Sequence, residues 1–162
     1  MTLVAPPGLV DAALVRQVPD TQEVLLSRDS DVSLIVEVLQ QVGEGTSQEA
    51  LEHAVRFHFD SLAHDNDARA AEVAWVEVVG SGSDAAAAAT RPALLGGTQR
   101  VCKFGKDELE DTVFIWVAVW RVPSKRIDVV LSVNSPHTPG AAEALFRGAA
   151  TSLRIVDYGL FA

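Results

Sequence analysis

The sequence predicts an α+β fold, an α/β/α sandwich whose mostly antiparallel sheet of about six strands carries helices on both faces. Three observations carry this. Residues 112–120 read TVFIWVAVW, with Phe114, Trp116, Ala118 and Trp120 on one alternating face and Val113, Ile115, Val117 and Val119 on the other. A strand with one wet face would show polar residues there, so this strand needs cover on both sides. A second apolar run over 127–133 follows the turn Val122-Pro123-Ser124-Lys125-Arg126, and the two runs read as a central hairpin. Two further segments repeat apolar residues at the helical period and supply the covering layers.

The elements follow in chain order. Residues 2–5 suit a short strand stopped by Pro6-Pro7-Gly8, and residues 9–15 fit either a short helix or an irregular crossing. In RQVPDTQEV, residues 16–24, Asp20 with Glu23 three places later has the form of a helix-capping box. The apolar run behind it, Val24, Leu25 and Leu26, ends at once in Ser27-Arg28-Asp29-Ser30-Asp31, too soon for a helix, so 23–28 reads as a strand. Val32, Leu34, Val36 and Val38 alternate as in a strand; Ile35, Leu39 and Val42 also fall at helical spacing, and the strand is preferred.

Gly43-Glu44-Gly45 turns the chain, and Ser47-Gln48-Glu49 opens a helix with Ala50, Leu51, Ala54, Val55, His58, Phe59, Leu62 and Ala63 on one face. Val73, Trp75 and Val79 mark another strand. Residues 80–97, GSGSDAAAAATRPALLGG, read as a low-complexity variable surface loop with one short helical patch. After the hairpin, 139–154 returns to a helix with Ala142, Leu145, Phe146, Ala149 and Leu153 inward and Pro139 in its first turn.

A chain of 162 residues, 48% hydrophobic and 22% charged, fits a single domain over 1–162 with a substantial core. Thirteen Lys and Arg against 22 Asp and Glu give a net charge of -9. Such a surface repels phosphate backbones, which argues against nucleic acid and favours a partner with a basic face. Cys102 is the single cysteine, so no internal disulfide forms and a reducing compartment is expected. The opening MTLVAPPGLVDAALV lacks the basic lead and continuous apolar core of a signal peptide, and no apolar run reaches the roughly 18–20 residues of a membrane span. A soluble intracellular protein, without membrane insertion and monomeric, is the expectation.

Chemistry is thinly signposted. No phosphate-binding G-x-x-x-x-G-K-[ST] or G-x-G-x-x-G loop occurs, and Gly96-Gly97 and Gly80-Ser81-Gly82 read as turn glycines. His53, His58 and His64, with Asp60, Asp65 and Asp67, form the one metal-like cluster. Asp60 and His64 share a helical face, but His53 and His58 diverge at i, i+5 and His58 lies on the apolar stripe, so a structural role is expected and no metal. No G-x-S-x-G elbow organises the serines. Cys102 reads as an unremarkable thiol, Trp75, Trp116 and Trp120 as core, and Lys106-Asp107-Glu108-Leu109-Glu110-Asp111 as a solvated loop. No cofactor and no enzymatic activity are expected.

In VAPPGLVDAALVRQVPDTQEVLL, SLIVEVLQ, FHFDSLAHDNDA, VAVWRVPSKRIDVVLSVNSP and the terminal DYGLFA the chain resembles, nearly end to end, the Ran guanine nucleotide release factor family, nuclear import factors that bind the GTPase Ran. The resemblance implies a fold like that of the photosystem II oxygen-evolving protein P group. It places the Ran-contacting surface on the acidic pair of the family's PDxQE motif, here Asp20 and Glu23, with Gln22 and Arg16 as neighbours. It further implies a location in nucleus and cytoplasm, Ran and a Ran exchange factor as partners, and a mechanism without covalent catalysis: binding that favours nucleotide-free Ran promotes release by linkage. Members carry a longer N-terminal lead with Tyr/Phe-Gly-Gly-Ala-Ile before the first strand, whereas this sequence opens with Met1-Thr2-Leu3-Val4: either it is a shortened form or the true start lies upstream, and without that piece an edge strand is left short. The other reading is an adaptor that uses the same sandwich for a different basic partner or a membrane-protein cargo.

Overall fold

The computed structural model describes residues 1–5, 7–80, 90–102, 110–136 and 139–161. Its strands are β1 (Leu9–Asp11), β2 (Gln22–Ser27), β3 (Ser33–Gln40), β4 (Ala70–Val78), β5 (Ala93–Cys102), β6 (Glu110–Val122) and β7 (Ile127–Ser135). The helices are α1 (Gln48–Asp65) and α2 (Pro139–Ser152), with single 3-10 turns at Ala12–Leu14, Pro123–Lys125 and Tyr158–Phe161. All seven strands join one sheet in the order β1-β2-β3-β7-β6-β5-β4, and every pairing is antiparallel.

The two-faced strand is where its pattern requires it, near the middle of the sheet. Trp116, Ala118 and Trp120 of β6 join Leu34, Leu131 and Val133 under Ala142, Phe146 and Ala149 of α2. Ile115, Val117 and Val119 join Leu95 and Val130 under Leu51, Val55 and Phe59 of α1. The sandwich therefore has two cores, one per face. Among the described residues no helix is long and apolar enough to cross a membrane.

Helix α1 starts where Ser47 signals it: its hydroxyl accepts from the Ala50 amide at 3.1 Å. Ser47→Ala is expected to cost about 1 kcal/mol, read as a lower urea midpoint with unchanged slope. The ambiguous segment 9–15 resolves into the edge strand β1 followed by a 3-10 turn, capped by Asp11 through its bond to the Ala13 amide at 2.8 Å. Residues 2–5 form less than the expected strand. Thr2 and Arg154 make one isolated antiparallel bridge, with 2.9 Å bonds in both directions.

The sheet has one strand more than expected: residues 2–5 drop out of it, while β1 and β5 join it. Residues 93–97, assigned above to the end of a surface loop, are buried and lie hydrogen-bonded between β4 and β6. Gly96 and Gly97 are there for clearance, not for turning. A Cβ on Gly97 would stand 2.4 Å from the Glu72 carbonyl oxygen and 2.8 Å from the Phe59 ring, and one on Gly96 would stand 2.5 Å from the Trp75 indole. Residues 81–89 of the same insert lie outside the described residues.

A bulge explains Trp75. The register of β4 on β5 shifts between Val73 and Trp75, so Val73 packs toward α1 while Trp75 turns to the α2 face. An extra residue of this kind reverses the alternation of side chains beyond it. There the indole lies against Gly96, and the Arg147 guanidinium of α2 sits 4.6 Å from its ring centroid.

Candidate partner-binding site

The segment before β2 is a turn, not a helix. The Gln22 amide donates to the Pro19 carbonyl at 2.9 Å, and the Val38 amide donates to the Thr21 carbonyl at 3.0 Å, which fastens the turn to the end of β3. Asp20 therefore projects from the turn, and Glu23 from the second residue of the strand. Both are exposed. Neither side chain has a hydrogen bond or ion pair among the described residues.

Strand parity separates the neighbours. Glu23 pairs with Val36, which lies in the core under α2, so Glu23 projects on that face. Gln22 pairs with Glu37 and donates its Nε2 to the Glu37 carboxylate, and that side chain is already engaged. Arg16 follows the 3-10 turn, its amide bonded to the Ala12 carbonyl at 2.9 Å and its side chain exposed. Of the four residues singled out from the sequence, Asp20, Gln22 and Glu23 border one feature, and Arg16 stands apart from it.

That feature is a groove of about 660 Å³. Val36, Val38 and Ile127 form its floor, Leu153 closes the end next to α2, and its walls come from both ends of the chain, Met1, Thr2 and Leu3 on one side and Leu160 and Phe161 on the other. Asp20 and Glu23 stand on its rim. The sequence reading missed the groove because it joins residues from six separate segments; one available signal was the terminal DYGLFA, which places apolar Leu160 and Phe161 beyond the last α-helix.

Behind the floor lies a buried charge network. Ile127 and Asp128 are consecutive in β7, so Ile127 faces the groove and Asp128 faces α1. Asp128 lies opposite Arg121 in the hairpin register. Arg121 Nε donates to Asp128 Oδ1 at 2.9 Å and Nη2 to Oδ2 at 3.2 Å, while the guanidinium also donates to the Gly45 carbonyl at 2.9 Å and to the Val42 carbonyl. His58 Nε2 lies 3.1 Å from Asp128 Oδ2, and the Val42 amide donates to the same oxygen at 3.0 Å. Arg121 and Asp128 are fully buried. The network ties α1, β6, β7 and the 42–45 turn together at the end of the sheet that bears the groove.

The histidine cluster separates accordingly. His58 belongs to this network, whereas His53, His64, Asp60, Asp65 and Asp67 are exposed, and no group of metal-ligating residues forms among the described residues. Of the acidic run 106–111, residues 106–109 lie outside the described residues, while Glu110 opens β6 and meets Arg69 at 3.5 Å and Arg100 at 3.6 Å.

Comparison with known proteins gives these features a setting. The profile of the family described as Ran-interacting Mog1 protein matches residues 1–136. The chain is similar to the Ran guanine nucleotide release factor of Danio rerio, 32% identical over 99% of this chain and 94% of the relative. It is also similar to the nuclear import protein MOG1 of Saccharomyces cerevisiae, 33% identical over 85% of this chain and 63% of the relative. Among solved structures, the Saccharomyces cerevisiae Ran-binding protein Mog1p superposes with a TM-score of 0.74 at 30% identity, covering 99% of this chain and 92% of that one. With the profile spanning most of its length and the fold matching from end to end, the chain belongs to the Mog1 family of Ran-interacting proteins.

Proposed function

We propose that this protein binds the GTPase Ran, promotes release of its guanine nucleotide and so supports nuclear protein import, with Asp20 and Glu23 as the carboxylates that meet Ran. The observation that carries the site is the pair itself: two exposed carboxylates with no partner among the described residues, on the rim of a groove, in a chain whose relatives are named Ran guanine nucleotide release factors. Charge-assisted hydrogen bonds to Lys or Arg are the strong kind, and the net charge of -9 steers a basic surface toward the rim. Gln22 is held by Glu37 and keeps the turn in place, and Arg16 is a flanking residue. Release needs no reacting group in this chain. A protein that binds nucleotide-free Ran more tightly than loaded Ran lowers nucleotide affinity by the same factor. The work of such a factor, alone or beside an exchange factor, belongs in nucleus and cytoplasm.

The test is nucleotide release from Ran followed by fluorescence, with and without the protein. Asp20→Ala and Glu23→Lys are each expected to weaken the complex about tenfold, the effect of losing one charged hydrogen bond, while circular dichroism stays native. Unchanged affinity in both variants would remove the site assignment.

A further inference from the structure

The acidic rim surrounds an apolar floor, and carboxylates alone do not account for the floor. We infer that the groove beside Asp20 and Glu23 receives an apolar side chain of Ran that is flanked by Lys or Arg, so that the contact has an anchor as well as a charged rim. This rests on the Ran reading above.

The groove follows from how the sheet is covered. Helix α2 lies over β6 and β7, and β2 and β3 extend beyond it on the same face. Val38 and Ile127 are consequently only half-buried, and in place of a helix the chain ends border them. Leu160 is 64% exposed on that border. Apolar surface that a monomer leaves open inside a polar rim marks a contact site. The occupant's chemistry is set by the rim: two carboxylates without a partner among the described residues, on a chain of net charge -9, favour a basic surface and oppose an acidic one. An apolar residue seated in a pocket and ringed by charge pairs is how binding energy concentrates at protein interfaces.

The division of labour is kinetic. Rim charges govern the association rate and lose influence as salt rises, whereas a seated apolar group governs the dissociation rate. Binding of the full-length chain to nucleotide-free Ran is therefore measured by stopped flow at low salt and at about 0.5 M salt, where exposed charges are screened. Leu160→Ser is expected to raise the dissociation rate about tenfold at both salt concentrations with little change in association. Asp20→Lys with Glu23→Lys is expected to slow association chiefly at low salt. Phe57→Ser, on α1 and on the opposite face, serves as the control and leaves both rates unchanged. In methyl NMR, Val38, Ile127 and Leu160 shift on adding Ran.

If the complex forms and depends on Asp20 and Glu23, yet Leu160→Ser leaves dissociation unchanged and the methyls do not shift, the groove inference is overturned and the Ran reading stands. If the unmodified chain forms no complex with Ran, both fall. Self-association in the ultracentrifuge that Leu160→Ser abolishes would assign the groove to a second copy and overturn the inference as well.

Discussion

Asp128→Ala is expected to remove about 3–5 kcal/mol of folding stability, the cost of leaving one member of a buried ion pair without the other. Among the described residues, Arg121 has no second carboxylate to turn to. Its remaining acceptors are the carbonyls of Val42 and Gly45, and the side chain is fully buried. Against a total of about 5–15 kcal/mol for a domain, this brings the protein close to unfolding at room temperature. The apolar pair Arg121→Met with Asp128→Leu is expected to be far milder, because it removes both charges and the desolvation they require. Urea denaturation of the two variants checks this; equal stability of Asp128→Ala and the unmodified chain would mean the network contributes nothing.

The same carboxylate sets an acid limit. Burial pushes its pKa up, but hydrogen bonds from His58, Arg121 and the Val42 amide, with the guanidinium charge, outweigh burial and hold it below its ordinary 3.8. A folded-state pKa below the unfolded one stabilises the fold at pH above the unfolded value, and this contribution is lost as pH falls through the folded value. The urea midpoint is therefore expected to drop on acidification below about pH 4, with that part of the slope missing in Asp128→Ala.

Gly97→Ala is expected to cost about 3 kcal/mol, the upper end for an overpacked core. The added methyl would meet the Glu72 carbonyl at 2.4 Å and the Phe59 ring at 2.8 and 3.1 Å. A ring can tilt. A carbonyl in the neighbouring strand cannot move without disturbing the ladder beside the bulge at Val73 and Trp75. Adding Phe59→Leu to make room should therefore recover little, since the carbonyl remains. Thermal unfolding decides it, and a change within about 0.5 kcal/mol would be the size of an ordinary surface substitution and would show that the clearance is not needed.

These residues also show what a sequence displays and what it conceals. The hairpin of β6 and β7 and the helix α1 were legible because burial writes a period into the chain, two for a strand and 3.6 for a helix. β5 was not, because clearance next to Trp75 and Phe59 selects glycine, and glycine in sequence reads as a turn. The bulge in β4 was hidden for a related reason: one extra residue breaks the alternation by which a strand is recognised. The charge network left a partial trace, since Arg121 and Asp128 interrupt otherwise apolar strands on either side of a short turn and His58 interrupts an apolar helical face. At the candidate site, the turn and strand that expose Asp20 and Glu23 followed from the brevity of the Val24-Leu25-Leu26 run. The groove they border did not, because proximity between residues 1–3, 36–38, 127 and 160–161 exists only in the folded chain.

The walls supplied by the two chain ends bear on how the protein can be handled. Met1 and Phe161 both border the groove beside Asp20 and Glu23, so a tag, a dye or a surface joined at either residue is held at the rim. Such an attachment would crowd an incoming partner and, with a cationic tag, neutralise the carboxylates. Labels placed on the exposed face of α1, at Arg56 or Asp60, sit on the other side of the sheet and leave the rim open.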